Sequence, residues 1–366
     1  MYTHQSLQDI FFLMLYGAIG MLALMAGIYL WLRRSNAFAP DVTPPKALRC
    51  CTAAFFMMAA LSHIWWYVLG VHWLTDDRLV RNITAVMLDH VTLVPLAMAM
   101  LLRMLQDRKR RIWPWVLAQL PIVVMALVGI AVHDEFYGLD MTHYWQVTVL
   151  AIFIVYYIHA LIKYGRWLRE NYSDLEHKEV WQSLLFLVVI LIVYEIYSTN
   201  PGVMSREYAA QINTLVIIAF LLWRVETLQQ LEIAETVTEL DETLSAATTV
   251  PSDIGIRLKT YCEKQRLYLK HDLTLAQLSE AIGTNRTYLS LYFNQKGITY
   301  NSYINRLRID HFERIYRHSV SSMKPFTAQQ LAHESGFNSY STFAVAFKLY
   351  NGLTVAAWMK LQNLQK

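Results

Sequence analysis

At 366 residues, 55% hydrophobic and only 16% charged, the chain is too apolar for an ordinary soluble protein and long enough for more than one domain. Its net charge of +4 hides an asymmetry: residues 1–254 carry 17 Lys+Arg against 22 Asp+Glu, whereas residues 255–366 carry 15 against 6. A weakly acidic apolar part joined to a basic part suggests a membrane unit and a nucleic-acid-binding unit, and three cysteines (Cys50, Cys51, Cys262) without framework spacing argue against a disulfide scaffold or a zinc site.

Met1–Ile10 has no Lys or Arg and lacks the charged start of a cleaved signal peptide, so the first apolar run is expected to be a retained span. A membrane helix needs roughly 20 mostly apolar residues, because all its backbone groups must be paired internally. Seven runs qualify: 10–32, 48–70, 82–103, 113–132, 144–164, 180–199 and 208–224. Connections one, three and five are basic (Arg33, Arg34, Lys46 and Arg49; Arg103 and Arg108–Arg111; Lys163, Arg166, Arg169 and Lys178). The second is balanced, the fourth (His133–His143) has acids and histidines but no Lys or Arg, and the sixth has Arg206 as its single basic residue. Positive-inside counting then places the N-terminus outside and everything after Arg224 in the cytoplasm. Aromatic residues such as Trp65, Trp73, Trp113, Trp145 and Trp181 fall near the predicted interfaces, and Pro95 and Pro121 are expected to kink their spans.

Ionisable residues at membrane depth are costly, which makes His63, Asp89, His90 and Glu195 candidates for function. His63 and the Asp89–His90 pair each lie roughly 10 Å from the outer end of their spans, at about 1.5 Å per residue. Two readings stand: an outward-opening pocket for a small ligand, proton or cation, or an Asp–His bridge that fixes helix packing. A dedicated metal site is not expected, and neither is a cofactor. The outer placement of His4, His63, His72, His90, His133 and His143 would suit sensing of external acidity, with chance placement as the alternative. Catalytic motifs such as His-x-x-x-His, Gly-x-Ser-x-Gly and a phosphate-binding glycine loop do not occur in this half, so no enzyme is expected.

The last run continues without Gly or Pro into Leu221–Leu244, predicted to be one amphipathic helix. Leu221, Val225 and Leu228 form one stripe; Ile233, Val237, Leu240 and Leu244 form a second, out of phase with it. Val225–Leu244 is thus a candidate coupling helix and homodimer seam, with a solvated spacer as the plainer alternative. Pro251 and Gly255 end it.

The basic half contains an internal repeat. Thr274-Leu-Ala-Gln277-Leu278, Gly283, Leu289, Phe293, Gly297-Ile298-Thr299 and Tyr303 are matched by Thr327-Ala-Gln-Gln330-Leu331, Gly336, Phe343, Phe347, Gly352-Leu353-Thr354 and Trp358. Thr-x-x-Gln starts a helix, Gly permits a sharp turn, and Asn285 or Ser339 caps a second helix. That layout is a helix-turn-helix, twice. Between the copies, Tyr300–His318 is predicted to be a long helix, with Ile304, Leu307 and Ile315 available to bridge the two units. Such a connector would hold two recognition helices about 34 Å apart, in successive major grooves.

The stretches NRTYLSLYFNQKGITYNSYINRLRI and LAHESGFNSYSTFAVAFKLYNGLT resemble the AraC/XylS family of bacterial transcription regulators across about 255–362. The resemblance implies an all-helical DNA-binding domain that recruits or positions RNA polymerase, and hence a bacterial inner-membrane location for the chain. It would present Asn285, Arg286, Thr287, Ser290 and Leu291 from the first recognition helix. From the second it would present Ser339, Tyr340, Ser341, Ala344 and Val345. Leu291 and Val345 stand where relatives often carry Arg, so specificity is expected to lean on Arg286, hydroxyl contacts, thymine methyls and DNA shape. Arg286, Lys296, Arg306, Arg308 and Lys348 are candidate phosphate contacts, with Arg308 alternatively structural.

The expected fold is all-α: a seven-helix transmembrane bundle (1–224), a linker helix (225–254), and two helix-turn-helix subdomains joined by a long helix (255–366). The expected partners are double-stranded DNA, RNA polymerase, membrane lipid, an unidentified small ligand and a second copy of the chain. A transporter or channel with a regulatory domain is the alternative, although seven spans do not divide into the repeated halves common in transporters. A membrane scaffold whose helix-turn-helix units bind protein is a third.

Overall fold

The computed structural model describes residues 7–33, 36–37, 40, 42–70, 75–185, 187–189, 204–231, 253–323 and 325–364. It is all-helical, and its contacts divide it into two units: Met1–Ile162 with His177–Ile233, and Lys163–Glu176 with Ala234–Lys366.

The first unit contains α1 (Leu7–Leu32), α2 (Lys46–Gly70), α3 (Arg78–Met104), α4 (Trp113–Leu117), α5 (Leu120–Val132), most of α6 (Met141–Asn171) and α7 (Met204–Thr227). Six helical stretches among the described residues are long and apolar enough to cross a membrane, α4 with α5 making one and a π-helical lead-in lengthening α6. This number and their apolarity suggest a multi-pass membrane protein. Their outer surfaces fit that solvent: Phe11, Met14, Met21 and Met25 on α1, Leu120, Val124 and Leu127 on α5, and Val155 and Ile162 on α6 all stand exposed. The expected sixth span, 180–199, and with it Glu195, lies largely outside the described residues. Pro121 sits in the first turn of α5, where the chain breaks between α4 and α5, whereas Pro95 is accommodated within α3.

The end of α7 corrects the expectation of one unbroken helix through Leu244. The helix stops at Thr227, and Leu228–Leu231 are not helical. No Gly or Pro ends it; polar groups brought in from other loops replace the helical ladder. Gln229 N–H donates to His177 O at 2.8 Å and Gln230 N–H to Thr43 O at 2.7 Å. The Gln106 carboxamide clasps this segment, donating to Gln229 O (2.9 Å) and accepting from Leu231 N–H (2.8 Å). Glu226 accepts from the Tyr29 hydroxyl and from Ala37 N–H. Leu221, Val225 and Leu228 are each 0% exposed, so the first stripe is core of this unit and not an available dimer face. The second stripe lies outside the described residues.

In the second unit, α8 (Ile254–Arg257) runs through a π-helical stretch, Leu258–Lys264, toward α9 (Leu275–Ala281) and α10 (Arg286–Gln295). The connector α11 (Tyr300–Ser321) leads to α12 (Ala328–Glu334), α13 (Tyr340–Asn351) and α14 (Val355–Leu364). Two separate cores form. Leu258, Leu278, Leu289, Phe293 and Ile304 belong to the first; Phe312, Leu331, Phe337, Phe343, Phe347 and Trp358 belong to the second. The connector thus gives its first half to one core and its second half to the other, with Leu307 packing on the first and Ile315 on the second. Each fully buried Leu or Phe contributes about 1.5–3 kcal/mol of transfer free energy.

The turns obey local chemistry. Gly283 and Gly336 have φ of 66° and 94° and open the tight turns between paired helices. At Gly336 an added Cβ would also meet Leu269 Cα and O at 2.9 Å, whereas at Gly283 the nearest atom is Arg257 Nη1 at 3.5 Å. Gly336→Ala is therefore expected to destabilise the second unit by about 2–4 kcal/mol, and Gly283→Ala by only about 1 kcal/mol. Thermal unfolding of the two variants side by side checks the ranking.

Candidate functional site

Each recognition helix begins with the cap expected from its sequence. Asn285 accepts from Thr287 N–H at 2.8 Å, and Ser339 accepts from Thr342 N–H at 3.3 Å. The preceding helices start at Thr274, in a full capping box with Gln277, and at Thr327, which accepts from Gln330 N–H. Thr299 and Ser302 form a further capping box at the start of the connector. Caps fix where each helix starts, and a fixed start sets which side chains face outward.

Leu289 and Phe293 turn one side of α10 into its core, and Phe343 and Phe347 do the same for α13. The opposite faces carry the expected set. Asn285, Leu291, Tyr340, Ser341 and Val345 are exposed, while Arg286, Thr287, Ser290, Ser339 and Ala344 are half-buried. Among the basic residues, Lys296, Arg306 and Lys348 are exposed. Lys296 lies over the Tyr292 ring (5.9 Å) and Arg306 over the Tyr350 ring (5.8 Å), which orients both cations without neutralising them.

Two arginines differ from these. Arg308 is 1% exposed, and its guanidinium donates to Tyr268 O (2.8 Å), Lys270 O (2.8 Å) and Ser173 Oγ (3.4 Å) while lying over the Phe337 ring. Of its two anticipated roles the structural one fits, since a buried guanidinium cannot reach a phosphate. Burial lowers its pKa, but an arginine stays charged regardless. Arg286 has both Nε and Nη2 directed at the Asn171 side-chain oxygen, with Nε at 3.1 Å. Burial likewise lowers its pKa. Nothing in the sequence signals this contact, whose partners are 115 residues apart.

The membrane candidates are brought close together but not joined as an Asp–His bridge. Asp89 accepts from Ser62 Oγ (2.6 Å) and Trp66 Nε1 (2.7 Å), both on α2. His63 places Nε2 3.2 Å from Gln211 Oε1 on α7 and Nδ1 2.8 Å from Ala59 O. His90 places Nδ1 2.6 Å from Val86 O, within its own helix. Ser62, Trp66 and Gln211 are therefore the partners that sequence reasoning missed. Beside this network, Trp66, Leu69, Arg78, Arg81 and Asn82 line a cavity of about 140 Å³. No group of three or more potential metal ligands occurs among the described residues.

The geometry defines a class: two capped helix-turn-helix units sharing one connector helix. Comparison with known proteins agrees, because residues 278–361 match the family model described as "Helix-turn-helix domain", and this part of the chain is an AraC-type domain. A domain of that class is regulatory and not enzymatic. Similar proteins include uncharacterized HTH-type transcriptional regulators of Staphylococcus aureus strains COL, MSSA476 and N315, each 27% identical over 99 residues. The match covers 27% of this chain and 13% of each relative, so the chain spans only a small part of the curated relatives' length. No solved structure matches.

Proposed function

We propose that this chain is a membrane-integral one-component transcription regulator, in which a membrane-embedded receptor controls DNA binding by the C-terminal domain. The observation that carries this reading is the presence, in one polypeptide, of six long apolar helices and an AraC-type helix-turn-helix domain. Arg286, Thr287 and Ser290 on α10, with Ser339, Tyr340, Ser341 and Val345 on α13, read base edges. Lys296, Arg306 and Lys348 hold phosphates. RNA polymerase is the partner recruited or positioned at the promoter.

In this reading the chain crosses the bacterial inner membrane seven times, with residues 180–199 as the remaining span and the N-terminus outside. The alternating charge of the connections supports that orientation. The receptor site is the Ser62–Trp66–Asp89 network with the neighbouring His63–Gln211 contact, which links α2, α3 and α7. A ligand entering the adjacent cavity meets the Trp66 indole, whose N–H is already committed to Asp89, and so shifts helix packing.

The protein in lipid nanodiscs, titrated with duplex DNA at increasing salt, should bind with an affinity that falls steeply as salt rises. Replacing Arg286 and Thr287 together by Ala should weaken that binding about 10–100-fold. Binding that ignores both salt and the double substitution would refute a DNA-reading role. Asp89→Asn is expected to leave membrane insertion intact and alter signal-dependent reporter output, and an unchanged response in both Asp89→Asn and His63→Ala would remove the pocket.

A further inference from the structure

The second unit contains a segment that belongs to neither helix-turn-helix. Residues 163–176, the end of α6 and the turn after it, belong to the same compact unit as the helix-turn-helix domain. The contacts are specific. Tyr172 makes an antiparallel bridge with Thr274, and Ser173 N–H donates to Leu273 O at 3.3 Å. Asn301 Nδ2, in the first turn of the connector, donates to Tyr172 O (3.2 Å) and Ser173 O (2.9 Å). Ser173 and Asp174 are 1% and 3% exposed.

From this anchored centre the segment reaches both recognition helices at their N-terminal ends. Asn171 takes the guanidinium of Arg286, the first residue of α10. Asp174 accepts at 2.6 Å from Asn338, the residue before the cap of α13. In a helix-turn-helix the N-terminal residues of the recognition helix are those that enter the major groove. One short segment therefore holds the leading ends of both reading heads.

We propose that residues 171–174 form an autoinhibitory strap that competes with DNA for these two helix ends, so that DNA binding requires the strap to be released. This rests on the DNA-binding reading above. The chemistry favours competition over permanent attachment. Arg286 is given a neutral amide oxygen, a weaker acceptor for a guanidinium than a phosphate. Asp174 occupies Asn338, beside the cap of α13, with an anionic acceptor of the same kind that a phosphate would offer there. Release exposes the cation and withdraws the anion together. Asn171 is also the last residue of α6, a long apolar helix, so an axial shift or rotation of that helix is delivered to the strap through continuous helical backbone.

The test uses the full chain in nanodiscs and a fluorescent mixed-sequence duplex long enough for two successive major grooves. Asn171→Ala and Asp174→Asn should each tighten binding about tenfold, because the binding-competent fraction rises. Unchanged or weaker binding in both would overturn the strap. An Asp174→Cys, Asn338→Cys pair provides the converse. On oxidation it should lose binding at least about tenfold and recover it with reductant. The unsubstituted chain under the same oxidant sets the baseline and absorbs any oxidation of the exposed Cys50 and half-buried Cys51; Cys262 is buried, with the thiol pushed up to about 12 by that burial. An oxidised pair that binds as well as the reduced one overturns the proposal. If released and locked forms all bind alike, only the strap falls; if none binds DNA in a salt-dependent way, the DNA-binding reading falls with it.

Discussion

Arg308→Ala is expected to destabilise the C-terminal unit by about 3–5 kcal/mol. Two backbone carbonyls, the buried Tyr268 O and the partly buried Lys270 O, accept from this guanidinium. Each buried acceptor left unsatisfied costs about 1–3 kcal/mol, and loss of the side chain from beside Phe337 adds a cavity. Arg308→Met fills much of the volume but still strands the carbonyls, so it should recover less than half of the loss. Arg308→Lys supplies one donor centre in place of a planar fork and should fall between the two. Hydrogen exchange of the connector helix in the full chain, read against denaturant, measures the series. A phosphate-contacting arginine would behave oppositely: stability would be unchanged, and DNA affinity alone would fall.

Phe343→Ala is expected to cost about 3–5 kcal/mol as well, but to damage only half of the domain. Phe343 is 0% exposed and lies with its ring centroid 4.5 Å from Phe312, 5.2 Å from Phe337 and 5.5 Å from Phe347. Removing it unseats the connector, α12 and α13 from one another at once. The first core is built from other side chains, with Leu289, Phe293 and Ile304 at 0%, 2% and 0% exposure. Hydrogen exchange should therefore show α12–α14 opening at low free energy while α9 and α10 remain protected. Uniform loss of protection through both units would show that they fold as one. Phe343→Leu, which keeps most of the apolar volume, should cost no more than about 1.5 kcal/mol.

What was legible in the sequence was local chemistry. Thr274 with Gln277, Gly283, Asn285, Gly336 and Ser339 each act on backbone groups within a few residues, so their roles survive without knowledge of the fold. The long apolar helices were legible for the same reason, because hydropathy over one segment decides whether it can cross a bilayer. Distant partners were not legible. The sequence around Leu228 continues a helical pattern, yet Thr43, Gln106 and His177 supply hydrogen bonds that end the helix at Thr227. A stripe at helical spacing marked Val225 and Leu228 as apolar contacts but could not tell a dimer seam from a core. Asp89 and His63 fall on separate apolar runs whose helices the sequence makes visible, while their partners Ser62, Trp66 and Gln211 depend on helix rotation that periodicity leaves open. The place of Arg286 in a recognition helix is legible locally, but no local pattern reveals that Asn171 already holds it.

The proposed regulator joins a membrane receptor to two DNA-reading helices on a shared connector. Its most direct test is footprinting of the nanodisc-embedded chain, carrying Asn171→Ala to expose Arg286, on duplexes enriched from a random library. Two protected half-sites are expected on one face of the DNA, about 10 bp apart centre to centre, one lost on adding Arg286→Ala and the other on adding Ser341→Ala with Val345→Ala. A single protected site, or protection unaffected by both sets of substitutions, would contradict it.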